Sequence, residues 1–352
     1  MGFEEMTPYE RAAWQRSLDL LHESPRQTVV SRKVRERLSS TASWVAGKVG
    51  DLPGAESARE IVNRAFEGTL ALTFQPALRS TRPASVVKRY AQKYPEIGTY
   101  EQIRELPLES RDTMMPPRFG YTLGSAGQGA ATALAVTGAE VATTVTAGTT
   151  AAVAIGAVAA DAVASMAMMG RTIGAVASGY GYDVRLPDEE LFAMGVLSLG
   201  VAGSLGAKTQ ALAALSRLTQ QMMRQATWKQ LNEHLLVRAI GKVYQILGLR
   251  LTQKKLAQTV PFVGVGLNAA LSASLTERTF RRAQAVYRLR TLSETYGIDP
   301  EEWMPRSPSP ENDDAAGEAA VDVMAVLDAE RDASGQLVPI SGVRFKWKAW
   351  EA

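Results

Sequence analysis

The chain has 352 residues, 46% of them hydrophobic and 21% charged, with 29 Gly, 16 Pro and no Cys. This is a globular composition, and the length suffices for one sizeable core or two smaller ones. Without cysteine there are no disulfides, thiolate metal sites or Cys nucleophiles; His22 and His234 are far apart and in no ligand-spaced motif, so neither a metal nor a cofactor is expected. Residues 301–352 hold 11 acids against 5 bases, so the net +3 divides into +9 for the body and −6 for the tail. A basic body with an acidic tail fits an anionic surface as partner; a solvated surface with a solubilising tail gives the same numbers.

The first residues carry early acids and no positively charged region followed by an apolar run, which predicts no secretory signal and a cytoplasmic chain; Met6 stands where a myristoylation pattern wants Ser or Thr. Thr7-Pro8-Tyr9-Glu10 combines an N-cap, a proline at the first helical position and a capping-box Glu, predicting a helix from Pro8 to about His22. Ser24-Pro25 opens another, in which Val30, Val34, Leu38, Val45 and Val49 keep helical spacing beside Arg26, Arg32, Lys33, Arg35 and Arg37. This basic amphipathic helix fits anionic lipid, and equally a packed helix with a solvated face. Breaks are expected at Leu52-Pro53-Gly54 and Gln75-Pro76, with helices over 56–72 and 83–94 and one capped by Thr99-Tyr100-Glu101-Gln102. Met115-Pro116-Pro117-Arg118 marks a composition shift, so residues 1–115 are read as an N-terminal helical region, 116–300 as a Gly/Ala-rich helical core and 301–352 as an acidic linker, a short helix and a basic-aromatic end.

From Phe119 to Gly179 the only charges are Glu140, Asp161 and Arg171. The stretch 141–160 is long enough to cross a bilayer, but it is rich in Ala, Thr and Gly and poor in Leu, Ile and Phe, so a tightly packed hairpin, buried in the protein or shallowly in a membrane, is expected instead of a spanning anchor. Asp161 and Arg171 either pair inside this stretch or Asp161 ends a helix facing solvent. Gly179-Tyr180-Gly181-Tyr182-Asp183 breaks the chain, and Pro187-Asp188-Glu189-Glu190 opens a helix whose first-turn acids compensate its dipole. Leu191 to Ala207 reads as a buried core helix, and 208–250 as amphipathic helix. A second uncharged run, 256–276, contains Pro261-Phe262-Val263-Gly264-Val265-Gly266 and Asn268 and precedes a basic helix with Arg278, Arg281, Arg282, Arg288 and Arg290. That order suits a membrane surface, and also a buried helix followed by a surface one. Beyond the Ser307-Pro308-Ser309-Pro310 linker, Ala320, Val323, Met324 and Leu327 space one amphipathic helix, and Val343-Arg344-Phe345-Lys346-Trp347-Lys348 alternates like a short strand.

No P-loop, G-x-S-x-G elbow, H-E-x-x-H or EF-hand pattern occurs. Ser125, Ser178 and Ser198 read as packing serines, and Asp161, Asp183 and Glu190 as pairing and capping acids more than an acid/base set. The basic residues accompany no recognisable nucleic-acid motif, which leaves lipid as the anionic partner.

The Gly/Ala-rich stretch ending in Ala160-Asp161, then Arg171, Tyr180-Gly181-Tyr182-Asp183, Leu186-Pro187 and Glu189-Glu190, followed by Pro261 to Asn268 and a basic helix containing Ala283 and Arg288, resembles the EcsC family. With Tyr9-Glu10 the likeness spans roughly residues 8–296. The resemblance implies a largely helical bacterial protein, in a family named for a member encoded beside ABC transporter subunits, and it implies no biochemical activity. The chain departs from the family in the Thr- and Ala-rich run before Asp161 and in the tail after Pro305.

The expectation is therefore a mainly α multi-helix bundle with a Gly/Ala-rich buried hairpin and a short extended C-terminal end. Functionally it is expected to be a membrane-associated binding or accessory protein, peripheral to the inner face of the plasma membrane. It would engage anionic lipid, or a membrane-protein partner such as an ABC transporter, through Arg32, Lys33, Arg35, Arg37, Arg278, Arg281, Arg282 and Arg288. The alternative is a soluble ligand-binding protein or enzyme with a polar site at Asp161, Arg171, Tyr182 and Asp183.

Overall fold

The computed structural model describes residues 2–23, 74–117, 149–224, 233–258, 265–305 and 320–333, and their side chains except at 149–163, 233–234, 248–258 and 265–272. The expectations for the basic segment 24–48, for the first arm of the hairpin, for the Pro261–Gly264 break and for the C-terminal extended end lie outside these residues. The described residues are mainly helical and contain no strand: α1 (Gly2–Glu5), α2 (Pro8–His22), α3 (Pro83–Ala91), α4 (Gln102–Glu105), α5 (Leu108–Thr113), α6 (Thr149–Gly179), α7 (Pro187–Val201), α8 (Leu205–Met223), α9 (Glu233–Gln258), α10 (Val265–Tyr296), a 3-10 turn (Pro300–Trp303) and α11 (Val323–Ala333).

Local chemistry sets several boundaries. Thr7 caps α2 with the expected capping box, its hydroxyl accepting from the Glu10 N–H while the Glu10 carboxylate accepts from the Thr7 N–H. Pro83 and Pro187 occupy first turns, where a missing N–H has no intrahelical acceptor to lose. Residues 74–78 are helical and include Pro76, with Phe74 and Leu78 buried, while the helix expected before this break lies outside the described residues. Gly170 and Gly174, one turn apart on α6, let this segment lie flush against it: a Cβ on Gly174 would fall 2.0 Å from the Leu78 carbonyl oxygen.

The centre of the bundle is α7, in which every residue from Glu189 to Gly200 is buried. It packs against α6, α8, α9, α10 and α11, so the uncharged run is apolar all round because it has neighbours all round. Leu191, Phe192, Met194, Val196, Leu197 and Leu199 each contribute about 1.5–3 kcal/mol of burial to the common core. A smaller cluster of Val86, Tyr90, Ile97 and Ile103 forms a satellite core under 83–106.

Helix directions follow from contacts. The short connection 180–186 folds α7 back on α6. Arg290 meets Glu189 while Arg282 meets Leu199, Gly200 and Ala202, so α10 is antiparallel to α7 and parallel to α6. The step from Gln258 to Val265 spans at most about 25 Å, which obliges α9 to end near where α10 begins and hence to run with α7. No helix among the described residues is long and apolar enough to cross a membrane.

Candidate functional site

The α6–α7 connection is built as a helix C-cap. The Tyr182 N–H donates to the Ala177 carbonyl (3.0 Å) and the Gly181 N–H to that of Ser178 (3.1 Å), the paired bonds of a Schellman motif, with Gly181 in the left-handed region at φ +82°. A Cβ at Gly181 would fall 2.6 Å from Arg104 Cγ. The turn drives Tyr180 and Tyr182 into the core, and the neighbouring carbonyls are taken by side chains from the N-terminal region. Tyr90 donates to Gly179 O (2.6 Å), Tyr100 to Tyr182 O (3.1 Å) and Arg111 Nη1 to Tyr180 O (3.5 Å). Arg111 is buried at this negative end of the α6 dipole, and burial lowers its pKa.

Beside the cap, three elements converge on Asp112, whose carboxylate accepts from Tyr9 Oη (2.7 Å, α2), Tyr180 Oη (2.5 Å) and Arg288 Nε (2.9 Å, α10). Burial and the Asp112 acceptor push the Tyr9 hydroxyl up to about 12, and burial likewise raises Tyr180 well above the ordinary phenol range. Both stay protonated donors.

The adjacent acids of the α7 first turn part to opposite sides. Glu189 accepts a two-pronged bond from Arg290 of α10, with Nη1 and Nη2 each 2.6 Å from a carboxylate oxygen. Burial pushes Glu189 up while the Arg290 fork pulls it down. The Arg290 guanidinium also lies 4.2 Å from the Tyr182 ring centre and 4.4 Å from that of Phe192, and its Nε donates to Glu294 (2.8 Å). Glu294 further accepts from Tyr182 Oη (2.9 Å) and Arg104 Nη2 (2.6 Å). Glu190 turns to α9 and the 74–79 segment, accepting from Tyr244 Oη (3.0 Å), Arg79 Nη2 (2.6 Å) and Gln75 Nε2 (3.2 Å). In the middle, Tyr287 packs against Tyr180, Tyr182 and Phe192, and its buried hydroxyl has no partner among the described residues.

The four residues of the alternative polar site do not gather. Tyr182 is buried, with Thr291, Glu294, Arg104 and Arg290 around it. Asp183 pairs at the surface with Arg185, whose hydrogen bonds hold its carboxyl below the ordinary range. Arg171 is exposed. Asp161 lies ten residues earlier on the unbroken α6, about 15 Å along its axis, so the two cannot pair and Asp161 ends no helix; its side chain is outside the described residues.

The basic residues of α10 also divide. Arg282 is buried and donates Nη1 to the carbonyls of Leu199 (2.6 Å), Gly200 (3.2 Å) and Ala202 (2.9 Å), capping the α7 C-terminus, and burial lowers its pKa to about 10. Arg288 is committed to Asp112. Arg282 and Arg288 are thus withdrawn from the surface-binding set, because the nearest negative poles are internal. Arg278 donates to Ser274 and is half-buried, and Arg281 is exposed; Arg32, Lys33, Arg35 and Arg37 lie outside the described residues. Lys208 belongs to the same pattern, donating from a buried position to the carbonyls of Leu20 and Glu23 at the end of α2.

Chemically, each buried carboxylate of this cluster is held by two or three donors, and the tyrosines are held protonated. The arrangement fixes helices in place, and among the described residues of the cluster the unengaged group is the Tyr287 hydroxyl, which burial holds protonated. Asp112, Arg104 and Glu294 are not singled out by the sequence, which presents Glu189 and Glu190 as helix-opening acids and as part of the family resemblance, and Glu190 also in the weaker acid/base set with Asp161 and Asp183. Arg290 and Glu294 carry a legible i, i+4 spacing; Asp112 carries no local signal, since its partners lie 68 to 176 positions away. Among the described residues no group of His, Asp and Glu is placed to hold a metal ion.

The sequence model of the EcsC protein family matches residues 12–292, and the chain belongs to that family. No curated protein and no solved structure matches it.

Proposed function

We propose that this member of the EcsC family is a binding protein and not a catalyst, docking peripherally on the inner face of the plasma membrane through the end of the bundle at which α6 and α10 begin. The observation that supports this most is the course of those two parallel helices. Both start well short of the level where α7 stops; α10 carries no charged residue from Val265 to Thr276, and α6 none from Thr149 to Ala160. Such stretches suit an interface where apolar area meets the acyl boundary. Their Ala, Gly and Ser content makes full insertion weakly favourable, in keeping with peripheral docking. The saturated polar cluster at the opposite end fits a rigid scaffold.

Membrane fractionation of the expressed protein, with high-salt and carbonate washes, and flotation on protein-free vesicles test the reading. Release by salt together with flotation on anionic vesicles is expected. Binding to native membranes but not to vesicles would replace lipid by a membrane-protein partner, for which an ABC transporter is the first to examine. A protein found wholly in the supernatant refutes membrane docking.

A further inference from the structure

Basic residues of three helices share one level of the bundle. Arg171 precedes Tyr180 by nine positions on α6, and Arg278 precedes Tyr287 by nine on the parallel α10, so the stacked Tyr180 and Tyr287 rings put Arg171 level with Arg278. Arg281 follows within one turn, beside the α7 terminus: Gly200 abuts Thr279, and Arg282 caps the last carbonyls. On α9, Tyr244 reaches Glu190 of α7, and Lys255 lies as far beyond Tyr244 as Val201 lies beyond Glu190, which brings the backbone of Lys254-Lys255 to the same level. This is where α7 stops and the charge-poor beginnings of α6 and α10 remain. Arg171 and Arg281 are exposed there, and Glu277 is the acid of the same turn of α10.

We infer that these residues form a headgroup belt that seats on the phosphates of an anionic leaflet, with Arg171 and Arg281 as its exposed members and the uncharged start of α10 reaching into that leaflet. The inference rests on the peripheral-membrane reading and specifies its lipid and its pose. Charge complementarity selects the occupant, since every Lys or Arg held at an anionic surface adds to the attraction, whereas a neutral leaflet offers the belt nothing. Length agrees. Val265 to Arg278 spans about 20 Å of helix, against roughly 15 Å of hydrocarbon in one leaflet plus its headgroup layer. Asp161 is the one charge beyond the belt on the described part of α6, and a carboxylate there opposes entry. The chain therefore binds one leaflet and carries a built-in limit on depth.

The test is flotation on vesicles of neutral phosphatidylcholine, with and without anionic phosphatidylglycerol. Arg171→Glu with Arg281→Glu should lower partition onto anionic vesicles roughly tenfold or more, while Lys88→Glu, on an exposed position of α3, should leave it unchanged. Asp161→Asn should raise partition. Because the chain has no cysteine, a nitroxide on Leu271→Cys reports depth directly, and immersion below the headgroups is expected. Arginine reversals that bind like wild type, or a Lys88→Glu loss of equal size, overturn the belt while leaving membrane docking intact. Wild type that floats on neither vesicle overturns lipid as the occupant and the belt with it, and fractionation of native membranes then decides whether docking on a protein partner stands. Circular dichroism melts identify any reversal that unfolds, in which case Arg171→Gln with Arg281→Gln takes its place.

Discussion

Arg290→Met strands the carboxylate of Glu189. The two side chains are 3% and 8% exposed and joined by two 2.6 Å bonds, and methionine retains the apolar stem while removing the charge. Breaking one side of a buried pair costs about 3–5 kcal/mol, and the guanidinium held between Tyr182 and Phe192 adds on the order of 1 kcal/mol of cation–π attraction. Glu294 keeps Arg104 and Tyr182, so a single carboxylate is left uncompensated. A loss of about 4 kcal/mol at pH 7 follows, a large part of the 5–15 kcal/mol typical of a domain, read from urea unfolding by circular dichroism. The sign of the pH dependence is fixed as well. Burial already pushes Glu189 up against the pull of Arg290, and without that pull its folded-state pKa climbs further above the ordinary 4.5. A folded state that binds the proton more tightly than the unfolded one loses stability as pH rises through that window, so the deficit should shrink between pH 7 and pH 5. Glu189→Leu with Arg290→Met should recover most of the loss, since an apolar pair of similar volume strands nothing. A single variant losing under about 1 kcal/mol, or a double variant no better than the single one, refutes this account of the cluster.

Gly181→Ala forces a side chain into the left-handed region and against Arg104, at a cost of roughly 1–2 kcal/mol or more; an unchanged melting temperature would contradict the cap. Ser198→Ala leaves both the N–H and the carbonyl of Val321 without their partner, about 1–3 kcal/mol for each buried group, and should speed hydrogen exchange across 321–333. Burial brings the Lys208 ammonium down from 10.5 to about 8. A base depressed in the fold costs stability below its folded value and returns it as pH rises, so wild type should gain on Lys208→Met between pH 8 and pH 10.5, with a flat difference counting against the assignment.

Features governed by neighbours along the chain are legible in the sequence itself. The α2 capping box needs only Thr7 and Glu10, the proline starts of α3 and α7 need only a missing N–H, and Tyr180-Gly181-Tyr182 announces a helix end because glycine accepts the conformation a Schellman cap requires. The core role of Leu191 to Gly200 is readable from the uniform lack of charge over 191–207, although α7 stops at Val201 and Leu205 to Ala207 open α8. The family resemblance rests on the same local strings, and the family match over 12–292 agrees with it.

Which partner each charge meets is decided by the tertiary structure. On sequence, Arg282 and Arg288 join Arg278 and Arg281 as one basic face. In the fold, Arg282 finds the α7 C-terminus 80 to 83 positions away and Arg288 finds Asp112 at 176. Asp161 and Arg171 read as a pair in an uncharged stretch, whereas one continuous helix sets them about 15 Å apart along its axis. Periodicity within a segment reports which face is apolar, but a buried ion goes to whichever opposite pole packing brings within about 3 Å, because desolvation makes any other position costly. That choice depends on how helices distant in sequence pack together, and no single segment encodes it.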